Sequence, residues 1–166
     1  KGQSKSKRFS WHYSLCSLHS INQKLHYGCI MFFMDALQIL EENRIPYRLQ
    51  EHEAVFTVAE SAHHLKGGMP VKNLLLKEEK GSECVLVVMK GDERLDTKLI
   101  ARELGLKKLQ FAKPDVLKEK LNVTPGSVSL FSMFAPSANS VLLVLDDRLR
   151  NEKELGFHPN DNTKTI

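Results

Sequence analysis

Apolar positions follow two rhythms along this chain, and their alternation predicts its elements. Ala36, Leu37, Ile39 and Leu40 recur at helical spacing and predict a short helix that ends by Asn43, before Pro46. Pro46 to Glu51 reads as a strand. Thr57-Val58-Ala59-Glu60 has the form of a capping box: the threonine oxygen accepts from the N3 amide while the glutamate reaches back. It predicts a helix that stops at Gly67-Gly68.

The rhythm then changes to short apolar runs. Val71 to Lys77 and Cys84 to Met89 read as strands, and Glu79-Lys80-Gly81-Ser82 between them marks a hairpin. Asp96 caps a helix through Leu104, which Gly105 ends. Leu109 to Phe111 is a short strand. Pro114 fits the first turn of a helix that runs through Leu121. Phe131 to Phe134 and Val141 to Leu145 are expected strands joined by the loop Ala135-Pro136-Ser137-Ala138-Asn139, and a last strand starts near Thr163. Hairpins without a regular βαβ rhythm argue an α+β fold: a mixed, largely antiparallel sheet flanked by helices.

Charge divides the chain. Residues 1–33 hold Lys1, Lys5, Lys7, Arg8 and Lys24 and no acid, while residues 34–166 carry 19 basic and 20 acidic groups. The overall +4 therefore comes from the first segment. That segment has no sustained period and is expected to be a leader outside the folded domain, with a mitochondrial presequence as the alternative. The domain is expected over 34–166. Its near-neutral charge excludes a bulk electrostatic nucleic-acid binder. No apolar run approaches the roughly 20 residues of a membrane span. Three cysteines are too few for a disulfide framework. Cys84, between Glu83 and Val85, lacks the cations that activate a thiol. A reducing, cytoplasmic setting fits.

Candidate chemistry is sparse. His63-His64 diverge by about 100° on a helix, and there is no HExxH, CxxC or carboxylate cluster, so neither a metal nor a cofactor is expected. No G-x-S-x-G elbow is present. Gly67-Gly68 lacks the Walker spacing and precedes a strand. Three weak signals remain. Lys72, beside Asn73 at a strand start, is either a solvated edge lysine or a point charge for a phosphate or oxyanion. Gly126-Ser127-Val128-Ser129 is either a plain turn or one that aims backbone amides at an oxygen. His158 is either part of a surface turn or an imidazole fixed by Pro159.

Their order supplies the link. From about Met34 to Ile166 the chain resembles the YbaK/ProX family of aminoacyl-tRNA deacylases, in its prolyl-tRNA-associated branch. The resemblance rests on residues 51–60, Gly68 through Lys77, Asp92-Glu93-Arg94-Leu95-Asp96, Leu109 to Ala112, Val123 to Ser129, and Phe157-His158-Pro159 with Asn162-Thr163. It implies a partly closed mixed sheet and hydrolysis of the ester of mischarged tRNA(Pro), most often alanyl-tRNA(Pro). The family lysine maps onto Lys72, its glycine-turn amides onto Gly126 to Ser129, its histidine onto His158, and its pocket threonine onto Thr57. Phe56, Val58, Met69 and Val128 are expected to line the amino-acid pocket, with Asn73 and Ser129 as further substrate contacts.

An aminoacyl ester is already activated. A water placed beside the terminal ribose hydroxyl, with amides on the oxyanion, is enough to hydrolyse it. Expected partners are the acceptor end of aminoacyl-tRNA and prolyl-tRNA synthetase. The alternatives are a non-catalytic tRNA- or synthetase-binding module and a deacylase for cysteinyl-tRNA or another small aminoacyl-tRNA. The chain departs from the family pattern in two turns and at its end. Leu130 stands where the Gly-x-x-x-Pro turn has proline, which predicts a looser loop, and Glu53 follows His52 where proline is common. The resemblance also implies a further strand and helix beyond Ile166.

Overall fold

The computed structural model describes residues 35–55 and 67–166. The expected leader, the helix from Thr57, His63-His64, and the candidate residues Phe56, Thr57 and Val58 lie outside the described residues. The first element is helix α1 (Ala36–Glu42), capped by a reciprocal Asp35–Gln38 box and ended at Asn43. Strand β1 (Gln50–Glu51) is short. The hairpin follows as β2 (Met69–Glu78) and β3 (Cys84–Lys90). Helix α2 (Thr97–Glu103) starts where the Asp96 carboxylate accepts from the Lys98 and Leu99 amides. Strand β4 (Leu109–Phe111) and helix α3 (Pro114–Leu121) come next, then β5 (Val141–Leu145), β6 (Leu155–Gly156) and β7 (Lys164–Thr165).

The class is the one expected from the pattern. A sheet of order β4-β2-β3-β5, with β6 also on β2, is accompanied by the small β1–β7 pair, and it does not close into a barrel. β2–β3, β2–β4 and β1–β7 are antiparallel; β2–β6 and β3–β5 are parallel.

Strand β3 shows why the sheet holds. Cys84 to Met89 are buried without a break, because helices cover both faces. Cys84, Leu86 and Val88 join Val71 and Leu75 against Val116, Leu117 and Leu121 of α3. Val85, Val87 and Met89 join Leu76 and Val144 against Ile100 and Ala101 of α2. The period of two thus feeds two separate cores. Burial pushes the Cys84 thiol upward, which fits a structural cysteine. A third cluster packs Ala36, Ile39 and Leu40 of α1 on Phe131.

Two expected strands differ. Pro46 to Glu51 contributes only its last two residues, since those alone find a partner, at Thr165 and Lys164. Leu130–Phe134 is a 3₁₀ turn, not a strand. Phe131, Ser132 and Met133 are buried in succession, which a strand with one free face does not allow. The expected loop after it contains a second 3₁₀ turn, Pro136–Ser140.

The edge of β2 is the feature that positions the site. β6 covers it at Met69–Pro70 and β4 at Leu76–Glu78. Met69 N–H donates to the Glu154 carbonyl and the Leu75 carbonyl accepts from Ala112, so odd-numbered residues of β2 direct their main-chain groups to this side. No described strand pairs with this edge between those two patches.

Candidate functional site

A cavity of about 260 Å³ opens at that gap. Its walls include Val71, Lys72, Asn73 and Leu75 of β2, Phe111 and Ala112 after β4, Leu117 of α3, Pro125, Gly126 and Val128, together with Val55 and His158. Five expected site residues meet there: Lys72, Asn73, Gly126, Val128 and His158. Met69 lies at the β6 end of β2, opposite Leu155, and is not among the lining residues. A second, apolar cavity of about 220 Å³, bordered by Leu130, Leu145, Leu149 and Phe157, contains none of them.

The glycine turn explains itself from sequence. Pro125 and Gly126 are the central residues of a turn closed by Ser127 N–H donating to the Thr124 carbonyl at 3.1 Å. Gly126 has φ +90°, which a side chain disfavours and which the third position of a type II turn requires. Ser129 is fully buried, and its amide donates to Ser132 Oγ at 3.2 Å. Ser129 Oγ accepts from Phe131 N–H at 3.4 Å. Ser132 Oγ in turn donates to Asn160 Oδ1 at 2.8 Å. The Ser127 and Ser129 amides are therefore engaged within the protein, while Gly126 and Val128 border the cavity. This serine pair ties the loop that ends at Leu130 to the segment that carries His158.

His158 is placed by the last residues. Its Nδ1 lies 2.8 Å from the Lys164 carbonyl oxygen. A carbonyl only accepts, so Nδ1 carries the proton and a neutral ring presents its Nε2 lone pair. Phe157 and Ile166 exchange two 2.8 Å main-chain bonds beside it, and Pro159 is buried. The His52 ring packs at 5.8 Å between centroids, and its Nε2 meets Thr165 Oγ1 at 2.9 Å. Asn162 holds Val55 at the cavity through its carbonyl and its side-chain amide.

Lys72 leaves β2 on the face it shares with Leu74 and Leu76. Its ammonium donates to the carbonyl oxygens of Gly91, at 3.2 Å, and Glu93. Burial lowers its pKa, while the charges of Asp92 and Glu93 oppose that shift. The turn that supplies these carbonyls is braced. Arg148 donates to Glu93 Oε1 at 2.8 Å and is gripped by the buried Asp146 carboxylate at 2.7 Å. Asn73 carries the one buried side-chain polar atom without a partner among the described residues, its Oδ1.

Sequence reasoning missed Val55, Val71, Leu74, Leu75, Phe111, Ala112, Leu117 and Pro125 as lining residues. Phe111 gave a signal, an aromatic at the end of a short strand, but periodicity does not say that it is exposed. Among the described residues no group of three or more His, Cys, Asp or Glu is placed to hold a metal ion. No described helix is long and apolar enough to cross a membrane.

Comparison with known proteins places the chain by family and fold. The profile of the aminoacyl-tRNA editing domain matches residues 52–166. The prolyl-tRNA editing protein ProX of Acetoanaerobium sticklandii is 36% identical over 139 residues, covering 80% of this chain and 85% of that protein. The prolyl-tRNA synthetase associated domain-containing protein 1 of Danio rerio is 35% identical over 120 residues, 70% of this chain and 65% of that protein. A solved structure described as a candidate trans-editing enzyme for prolyl tRNA synthetase superposes with a TM-score of 0.60 at 24% identity, over 78% of this chain and 82% of that one, which shows a shared fold. The chain belongs to the aminoacyl-tRNA editing domain family.

Proposed function

We propose that the protein is an aminoacyl-tRNA deacylase that hydrolyses the ester of mischarged tRNA(Pro), with alanyl-tRNA(Pro) as its main substrate. The observation that carries this reading is the cavity at the β2 gap, where Gly126, Val128, His158 and Lys72 border one small space. Membership in the editing-domain family and the names of the relatives support the substrate class.

The reaction needs little from the protein. A water oxygen adds to the ester carbonyl carbon, and the carbonyl oxygen becomes an oxyanion. The Gly126 and Val128 amides are the donors left to receive it, since Ser127 and Ser129 use theirs internally. One such donor is worth roughly 3 kcal/mol. The water gives a proton to His158 Nε2, or to the neighbouring ribose hydroxyl as that hydroxyl hands its own proton to the departing ester oxygen. The ester C–O bond then breaks, the ribose oxygen takes a proton, and the free amino acid leaves. Lys72 supplies positive charge for the terminal phosphate or the developing oxyanion. Selectivity comes from volume. A synthetase pocket built for proline cannot fully reject alanine, because each methylene discriminates by only about 1–3 kcal/mol. A second pocket walled by Val71, Leu75 and Val128 accepts the smaller side chain and excludes the larger.

We place prolyl-tRNA synthetase as the partner that supplies mischarged tRNA. The deciding experiment is deacylation by purified protein across a panel of charged tRNAs. Alanyl-tRNA(Pro) is expected to lose its ester faster than prolyl-tRNA(Pro), and Lys72→Ala to abolish the difference. Equal rates for wild type and Lys72→Ala would sink the proposal. Retention of tRNA in a shift assay without ester loss would establish a binding module instead. Preference for cysteinyl-tRNA would move the substrate within the same fold.

A further inference from the structure

Phe111 is the most exposed large hydrophobic residue among the described ones, at 61%. Its surroundings make that unusual. Its cross-strand partner Leu76 is fully buried, and Leu109, two residues earlier on the same strand face, is 5% exposed. A ring with only a packing role would follow them under α2. Isolated surface hydrophobics are ordinary. This one is not isolated, because it lines the cavity. Its backbone is also pinned, with the next residue, Ala112, donating to Leu75 at 2.9 Å.

Register fixes which side it occupies. Residues directly opposite in an antiparallel pair share a face, so Phe111 stands with Leu76, Leu74 and Lys72 on one face of β2. Val71, Asn73 and Leu75 stand on the other. An exposed aromatic and a cation therefore share one side of the slot, and the apolar wall that suits a small side chain occupies the other. A planar, uncharged π-face in the same slot as a cation, about 13 Å from it along the strand, suits a nucleobase whose phosphate side lies toward Lys72.

We infer that Phe111 is the platform on which the purine base of the ligand's terminal nucleotide stacks. The inference rests on the reading of the cavity as an aminoacyl-ester site, and it adds a subsite for the base to the one for the acyl group. Stacking is indifferent to hydrogen-bonding pattern, so this subsite contributes affinity and orientation without reading the rest of the tRNA.

The test separates binding from hydrolysis. Phe111→Trp places a fluorophore at the platform, and AMP, UMP and ribose 5-phosphate serve as probes. AMP is expected to quench it strongly, UMP more weakly, and ribose 5-phosphate not at all. Phe111→Leu keeps an apolar residue in the strand and should leave the melting temperature close to wild type. Its KM for alanyl-tRNA(Pro) is expected to rise about tenfold or more, with kcat within about twofold. Equal quenching by ribose 5-phosphate, no quenching by AMP, or an unchanged KM in Phe111→Leu would overturn the inference. So would loss of synthetase association with an unchanged KM for a tRNA minihelix, which would make Phe111 a protein contact. Quenching by AMP from a protein that hydrolyses no ester would leave the base subsite standing and remove the deacylase reading alone.

Discussion

Ser132→Ala tests what holds the glycine turn. Ser132 is 1% exposed, and its hydroxyl makes two bonds, accepting from the Ser129 amide and donating to Asn160 Oδ1. The first loss is the larger. Ser129 is fully buried, so its amide would stay dry and unpaired, at about 1–3 kcal/mol. Asn160 is only half-buried and can turn to water, so its share is an ordinary hydrogen bond, about 0.5–1.5 kcal/mol. Together the variant should lose about 1.5–4.5 kcal/mol. Urea denaturation should show a lower midpoint with an unchanged slope, since the folded surface stays the same. The same change frees the strap between the Gly126 loop and the His158 segment. Deacylation should therefore fall more than tenfold under conditions where the variant is still folded. A stability loss below about 0.5 kcal/mol would refute the claim that this serine pair holds the loop. A normal rate in a clearly destabilised variant would refute the link from the strap to the oxyanion amides.

Gly126→Ala forces a side chain into φ +90° and should cost about 1–2 kcal/mol of stability, measured by denaturation, with a further drop in kcat as the turn shifts. His158→Gln should keep a donor near the Lys164 carbonyl yet lose the imidazole Nε2, so kcat is expected to fall about 100-fold or more with KM little changed; single-turnover deacylation reads this directly. Asp161 has its pKa lowered, first by the Thr163 hydroxyl and then by the Thr163 amide. A depressed carboxyl contributes stability above its unfolded pKa and loses it as pH falls through the folded one. Wild type should therefore lose stability relative to Asp161→Asn as pH drops from about 5 toward about 3. The side chain is 40% exposed, so solvent screening keeps the effect small, and differential denaturation at two pH values is the appropriate measurement.

The elements with a clear period were legible in the sequence. The β2–β3 hairpin, the Asp96 cap and the Pro114 helix start all follow from local chemistry and stand where that chemistry puts them. Leu130–Phe134 was not legible, because a short apolar run fits a strand or a buried turn equally well. The site was legible as residue types in order: Lys72, the Gly126 turn and His158. What joined them was not. β6 is two residues long and has no pattern, yet its pairing at Met69–Pro70 helps to bound the gap in the β2 edge. Lys164, Thr165 and Ile166 position two histidine-bearing segments through main-chain groups and a hydroxyl, and nothing in their identities announces it. That the Ser129 amide is engaged internally depends on Ser132, three residues past the loop.

The gap in the β2 edge has a consequence for how this protein can change over time. The donors proposed at Gly126 and Val128 are peptide backbone. A point mutation cannot delete an amide. Side chains at Val71, Leu75 and Val128 can be exchanged for larger or smaller ones while the strand and turn keep offering the same polar groups. On the proposed mechanism, the shape of the accepted molecule thus rests on side chains and the means of attacking it on main chain. A lineage built on this scaffold would then switch its target by resizing these three apolar residues without rebuilding its chemistry.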